Sequence, residues 1–189
     1  MGERTGIGLA GSAVLDALDS LGAGPDRGFM RCSRALALIE ERIGLAPEHG
    51  YGVPLDLALP WKIPVPLVSG QGNMGAGPGD PPAGPDETRC RLSPVGQVAL
   101  DAEHGRLAPV PIGLINGTAH DGGPHPPAVL AAVRRTVEQP AAADSELLGL
   151  LGAGGPQSLA GIVSQIRAWG QRNANADTPA ALTALENAL

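Results

Sequence analysis

Ile7, Ala10, Val14, Leu18 and Leu21 recur at the three- and four-residue spacing of an amphipathic helix, and Gly22-Ala23-Gly24-Pro25 ends the pattern. A second helical period runs from Ser33 to Ile43, with Leu36, Ile39 and Ile43 on one face and Glu40, Glu41 and Arg42 on another. Residues 53–68 hold two apolar runs broken by Pro54, Pro60, Pro64 and Pro66, so strands there are expected to be short or at an edge, the best of them over Ile63 to Val68. Gly70 to Pro85, with six Gly and four Pro, reads as an irregular loop. Ser93-Pro94 then supplies an N-cap and first-turn proline for a helix through Val95, Val98 and Ala102 that stops at Gly105.

Leu107 to Asn116 predicts a strand, and Pro126-Pro127 opens a helix through Val129, Leu130, Val133 and Val137. A short helix at 146–151 follows a linker. Ser158 caps a helix carrying Leu159, Ile162, Val163, Ile166 and Trp169, and Thr178-Pro179 opens a last one with Leu182, Leu185 and Leu189. The expected division is an N-terminal helix and linker at 1–28, a main region at 29–139, and a linker with a helical tail at 140–189. The fold class is α+β, rich in helix, with short strands and long Gly/Pro-rich loops.

Composition sharpens this picture. Gly and Pro number 28 and 19 of 189 residues, and Phe29, Tyr51, Trp61 and Trp169 are the only aromatics, so the core is expected to be built from Leu, Val, Ile and Ala. The formal net charge of −6 argues against a surface that is basic overall, yet arginines concentrate locally at Arg27, Arg31 and Arg34, at Arg89 and Arg91, and at Arg134 and Arg135. Cys32 and Cys90 lack metal-ligand spacing, which predicts reduced thiols in the cytoplasm. His104, His120, Asp121 and His125 show no ligand signature, so no metal site is expected. Neither a long apolar span nor a basic leader is present, which predicts a protein with no membrane association. Gly70-Gln71-Gly72-Asn73-Met74-Gly75 matches a phosphate-loop pattern only weakly, without the strand, helix start and acidic residue that such a loop needs.

The stretch PLVSGQGNMGAGPGDPPAGPDETRCRLSP, residues 66 to 94, resembles the type IIA DNA topoisomerases, specifically the A subunits of DNA gyrase and topoisomerase IV. In that family a run of the form PLV-GQGN-GS-GD-PAA leads into Arg-Tyr-Thr-Glu and then Arg-Leu, and the Tyr attacks DNA. The frame set by Cys90-Arg91-Leu92-Ser93 puts Asp86 in the Arg position and Glu87 in the Tyr position. The chain's one tyrosine, Tyr51, lies well upstream in sequence. Cleavage needs a phenolic oxygen to displace a phosphate ester and a cation to stabilise the developing charge, so two carboxylates reverse both requirements.

The resemblance spans roughly residues 30 to 155 by motif spacing, without counterparts of the family's coiled-coil arm or DNA-wrapping domain. It implies a winged-helix-like breakage-reunion module in which the helix at 33–43 approaches DNA. Ile43-Gly44 and His49-Gly50 are kept from the family pattern, whereas Leu45 and Glu48 depart from it. Asp121 stands where the family wedges an isoleucine between base pairs, and a carboxylate is unsuited to a base stack.

These residues imply a bacterial, cytoplasmic, degenerate gyrase A-like protein without independent DNA cleavage, retaining weak DNA association or docking to topoisomerase subunits. Expected DNA contacts are Arg27, Arg31, Arg34, His49, Arg89 and Arg91. No cofactor is expected on this chain alone, and Mg²⁺ would come from a B subunit in an active assembly. Gyrase A or B subunits and a second copy of the chain are the expected protein partners. The alternatives are a protein-binding regulator of gyrase, a working subunit of an ATP-dependent type II topoisomerase, and a decayed gene product.

Overall fold

The structure is a computed structural model, and it describes residues 7–60, 62–63, 65–77, 79–107, 112, 131–135 and 178–188. Helix α1 (Leu9–Ser20) lies at the centre of the core. It packs against α2 (Cys32–Ile43), which leads into the single turn α3 (Pro47–Gly50), and against α4 (Gly52–Ala58), α5 (Pro94–Glu103) and strand β3 (Arg89–Leu92). That central position explains why its buried set, Gly11 to Leu15 with Ala17 and Leu18, is wider than the single stripe read from the sequence. Leu15, outside that stripe, has no exposed surface at all.

Helix α2 begins one residue before its expected start and ends at Gly44, whose φ of 68° is a conformation that disfavours any side chain. Leu36 and Ile39 are buried as expected. Ile43 is not: it is 37% exposed, because the last turn of α2 runs past the core beside the still more exposed Leu9.

The apolar run after Gly52 is helix α4, which corrects the expectation of a short strand. Pro54 falls in the first helical turn, where its missing N–H would have had no intrahelical partner, so the proline that suggested a strand break is compatible with a helix start. The strand expected over Ile63–Val68 forms instead as β2 (Val68–Gln71). Pro66 has no N–H to give a ladder, and the pairing starts only beyond it. Gly70 and Gln71 therefore belong to β2, and the irregular loop begins at Gly72.

Strands β1 (Met30–Arg31), β2 and β3 form an antiparallel sheet in the order β1-β3-β2, so the molecule is α+β. Cα register pairs Met30 with Cys90, Arg31 with Arg89, Val68 with Leu92, Ser69 with Arg91, and Gln71 with Arg89. Alternation along β3 sends Cys90 and Leu92 into the core and leaves Arg89 exposed and Arg91 half-buried on the other face.

Helix α5 opens as its sequence predicts. Ser93 Oγ accepts from Gly96 N at 2.9 Å and donates to Pro66 O at 2.7 Å, which ties the cap to the start of β2. Gly96 sits against the Leu67 carbonyl, where a Cβ would collide with the oxygen. Helix α6 (Thr178–Ala188) packs on α5 with Leu182 and Leu185 buried. Arg134, in a helical segment at 131–135, bridges to Thr183 Oγ1 and Glu186 Oε2 at 2.8 and 3.0 Å. Of the strand expected over Leu107–Asn116, Leu107 lies in a bend and Ile112 is helical and buried; the remaining residues lie outside those described. The helices expected at 146–151 and from Ser158 also lie outside them, as do Asp121, His120 and His125. No helix among the described residues is long and apolar enough to cross a membrane.

Candidate nucleic-acid interface

The small sheet turns one face to the core and the other to solvent, and the register decides what the outer face carries. Arg31 on β1, Arg89 on β3 and Gln71 on β2 form one row across it; Arg91 and Ser69 form the next. Arg31 and Arg89 are directly opposite each other and both exposed. Like charges facing across a strand pair repel and are destabilising. Among the described residues no carboxylate forms an ion pair with Arg27, Arg31, Arg34, Arg89 or Arg91. The row is therefore a cationic surface held without an internal counter-charge.

Arg91 has a different job from Arg89. Its guanidinium stacks over Phe29, 4.4 Å from the ring centroid, and its Nη1 donates to the Arg27 carbonyl at 2.8 Å. Its Nε is buried without a hydrogen-bond partner. Arg91 thus fastens the 27–29 segment to the sheet and keeps Arg27, itself exposed, at the edge of the cationic face. Arg34 is exposed in the first turn of α2, and His49 is exposed in the short helix α3. Among the described residues no hydrogen bond or ion pair joins either of them to the sheet arginines. The sequence-level contact set thus divides into a group on the sheet face (Arg27, Arg31, Arg89, Arg91) and two outlying residues.

The acidic pair beside this face is explained by its turn. Residues 85–87 form a turn in which Glu87 N and Thr88 N donate to Gly84 O, and Glu87 Oε2 accepts from Gly84 N at 3.3 Å. Pro85 O and Thr88 O in turn accept from Ser33 N and Cys32 N, the first backbone donors of α2, which has no side-chain cap. Carboxylates at Asp86 and Glu87 next to a helix N-terminus are electrostatically favourable. Glu87 is thus engaged in holding its own turn.

Tyr51 is far from that turn in sequence and beside it in space. Its Oη lies 2.7 Å from the Ala83 carbonyl, to which it donates, and 2.7 Å from Thr88 Oγ1. Burial raises its pKa, the Thr88 hydrogen bond opposes that rise, and the charges on Cys32, Cys90 and Glu87 add to it. A phenol so placed is a staple between α3–α4 and the 83–88 turn, and its proton is harder to remove than usual.

Thr88 continues the contact inward. It is fully buried and donates to Gly84 O at 3.2 Å, its carbonyl accepts from Cys32 N at 3.0 Å, and its side chain and Cys90 are the groups that shift the Cys32 thiol. The Cys90 thiol lowers the Cys32 pKa to about 7 against the opposing effect of burial, with Thr88 contributing in the same direction. The Cys90 pKa moves up, first because its proton is the one shared with Cys32 and then through burial. No residue spacing announces this line from Tyr51 through Thr88 to two cysteines, because tertiary closure of α2 on β3 creates it. His104 pairs with Asp16 at 2.6 Å, and no metal-ligand cluster is found among the described residues.

No family model matches the chain. Among curated proteins it is similar to the A subunit of DNA gyrase from a Nocardioides species, with 36% identity over 96 residues, covering 49% of this chain and 10% of that protein. The match to the corresponding DNA gyrase protein of Mycobacterium tuberculosis is 36% over 101 residues, 51% of this chain and 12% of the relative. With the Streptomyces coelicolor protein it is 33% over 96 residues, 49% and 11% respectively. Over about half of its own length this chain is therefore similar to the DNA gyrase A subunit, and it spans about a tenth of the length of those relatives.

Proposed function

We propose that this chain is a degenerate gyrase A-like protein that associates with DNA through the outer face of its small sheet and does not cleave it. The observation that carries the reading is the exposed Arg31–Arg89 cross-strand pair, a like-charged contact with no carboxylate ion-paired to it among the described residues. A phosphodiester backbone would supply the missing counter-charge. Arg27 and Arg91 extend the surface, and Arg34 and His49 contribute peripherally. A helix next to a three-stranded antiparallel sheet is compatible with a winged-helix module, with α2 as the helix nearest the DNA.

Two features support the loss of cleavage. Glu87 occupies the nucleophile position, and the only phenol, on Tyr51, donates to a backbone carbonyl with its pKa raised. A carboxylate attack on phosphorus would yield an acyl phosphate too labile to store a broken strand. Incubation with a gyrase B subunit, Mg²⁺ and supercoiled DNA, followed by denaturation, is expected to yield no covalent protein–DNA adduct. An adduct lost on Tyr51→Phe would mean instead a working topoisomerase component with a relocated nucleophile.

The net charge of −6 favours a second reading, docking to gyrase A or B subunits as a regulator, since most of the surface away from the arginines would repel DNA. Co-purification with those subunits and a change in supercoiling rate would support it.

A further inference from the structure

Two thiols meet inside this core in a way that the DNA-binding reading does not use. Cys32 is the first residue of α2 and Cys90 the second of β3, and each has at most 1% of its surface exposed. Cys32 N donates to Thr88 O at 3.0 Å, and Cys32 follows directly on the Met30–Cys90 and Arg31–Arg89 register pairs, so the two inward-facing thiols lie next to each other in the same core cluster. No disulfide links them.

We propose that Cys32 and Cys90 form a redox couple, converted by hydrogen peroxide into an intramolecular disulfide that ties the first turn of α2 to β3. The inference stands independently of the DNA reading. Cys32 is the attacking sulfur. As a thiolate it is stabilised by the neighbouring Cys90 S–H and by its place at the N-terminal end of a 12-residue helix, an environment that favours its charge. Tyr51 is the other titratable group that interacts electrostatically with the pair, and its anionic form would oppose that charge, which leaves Cys90 as the main stabilising influence.

The Cys32 thiolate attacks one peroxide oxygen, the O–O bond breaks, and the departing hydroxide takes up a proton to leave as water. Cys32 is then a sulfenic acid. The Cys90 sulfur attacks the Cys32 sulfur; the S–S bond forms, the S–O bond breaks, and the hydroxide leaves as a second water with the Cys90 proton. Two thiols and one peroxide thus give one disulfide and two waters. Both sulfurs are buried, so the oxidant enters by local opening of β1, a two-residue edge strand held by two register pairs, together with the two backbone hydrogen bonds that hold the start of α2.

The test is intact mass and thiol titration of the full chain after dilute peroxide at neutral pH. The expected product is a monomer that has lost two hydrogens and both titratable thiols together, and regains them with dithiothreitol. Cys90→Ser is expected to stop at a Cys32 sulfenic acid that dimedone traps, and Cys32→Ser to slow the reaction more than about tenfold, because the reactive thiolate is gone. Thiols that survive peroxide and are recovered in full after denaturation would overturn the proposal. So would separate oxidation of each thiol to sulfinic acid, or disulfides formed only between chains.

Discussion

Tyr51 shows how a single residue changes meaning between sequence and fold. As the only tyrosine, distant along the chain from Glu87, it reads as irrelevant to the nucleophile position. In the structure its hydroxyl reaches Ala83 and Thr88, on either side of that turn. Tyr51→Phe removes both bonds and leaves the Ala83 carbonyl without this donor, while Thr88 keeps only its longer bond to Gly84 O. The expected loss is about 1–3 kcal/mol in urea denaturation, and an unchanged midpoint would show that the staple carries no stability. Arg89 makes the opposite case. Arg89→Thr relieves the repulsion with Arg31, so stability is expected to rise by a few tenths of a kcal/mol while DNA affinity falls; a variant losing both stability and binding would mark Arg89 as a structural residue.

Among the elements, those legible in sequence are the ones whose signals are local. Helix α1 is visible in its apolar period, α2 likewise, and α5 in Ser93-Pro94, where cap and proline act within one turn. The departures share a physical cause in proline. Pro54 reads as a strand-breaker, but it sits within a first turn where a missing N–H costs nothing, and Pro66 displaces β2 toward the glycine run. The sheet face is not legible at all, because Arg31 and Arg89 lie far apart along the chain and only the register of β1 on β3 sets them opposite each other. The Cys32–Cys90 contact depends on the same closure. Packing between elements is tested at Gly96, which lies against the Leu67 carbonyl with no room for a methyl group, and the neighbour is backbone that cannot swing away. Gly96→Ala is expected to destabilise by about 2–3 kcal/mol or more, whereas Ser93→Ala, which removes the cap, should cost about 1–2 kcal/mol. Equal effects in thermal denaturation would contradict the close approach of α5 to β2.

For the molecule as a whole, the Cys32–Cys90 thiol pair makes stability depend on pH. Both titrate from 9.0 when unperturbed, but in the fold one proton leaves near 7 and the other is retained well above 9.0. Between about pH 7 and 9 the unfolded chain holds more protons, so stability is expected to rise with pH across that window. Above it the unfolded chain has released both protons while the native one keeps that of Cys90. Stability then falls, and the raised pKa of Tyr51 acts in the same direction. Cys32→Ser should abolish the rise in urea midpoint between those limits; a rise that persists in the variant would assign it to other groups.

If, as proposed, this acidic chain, similar in part to the gyrase A subunits, binds DNA through its sheet arginines, that face should reveal itself through salt. Fluorescence anisotropy with a short labelled duplex across a salt series separates the possibilities, with the natural chain compared against an Arg31→Thr/Arg89→Thr double variant. Saturable binding is expected, with a log-affinity against log-salt slope of about −2 to −4 that becomes shallower by about 2 in the variant. No binding at low salt, or binding indifferent to the two substitutions, would contradict it.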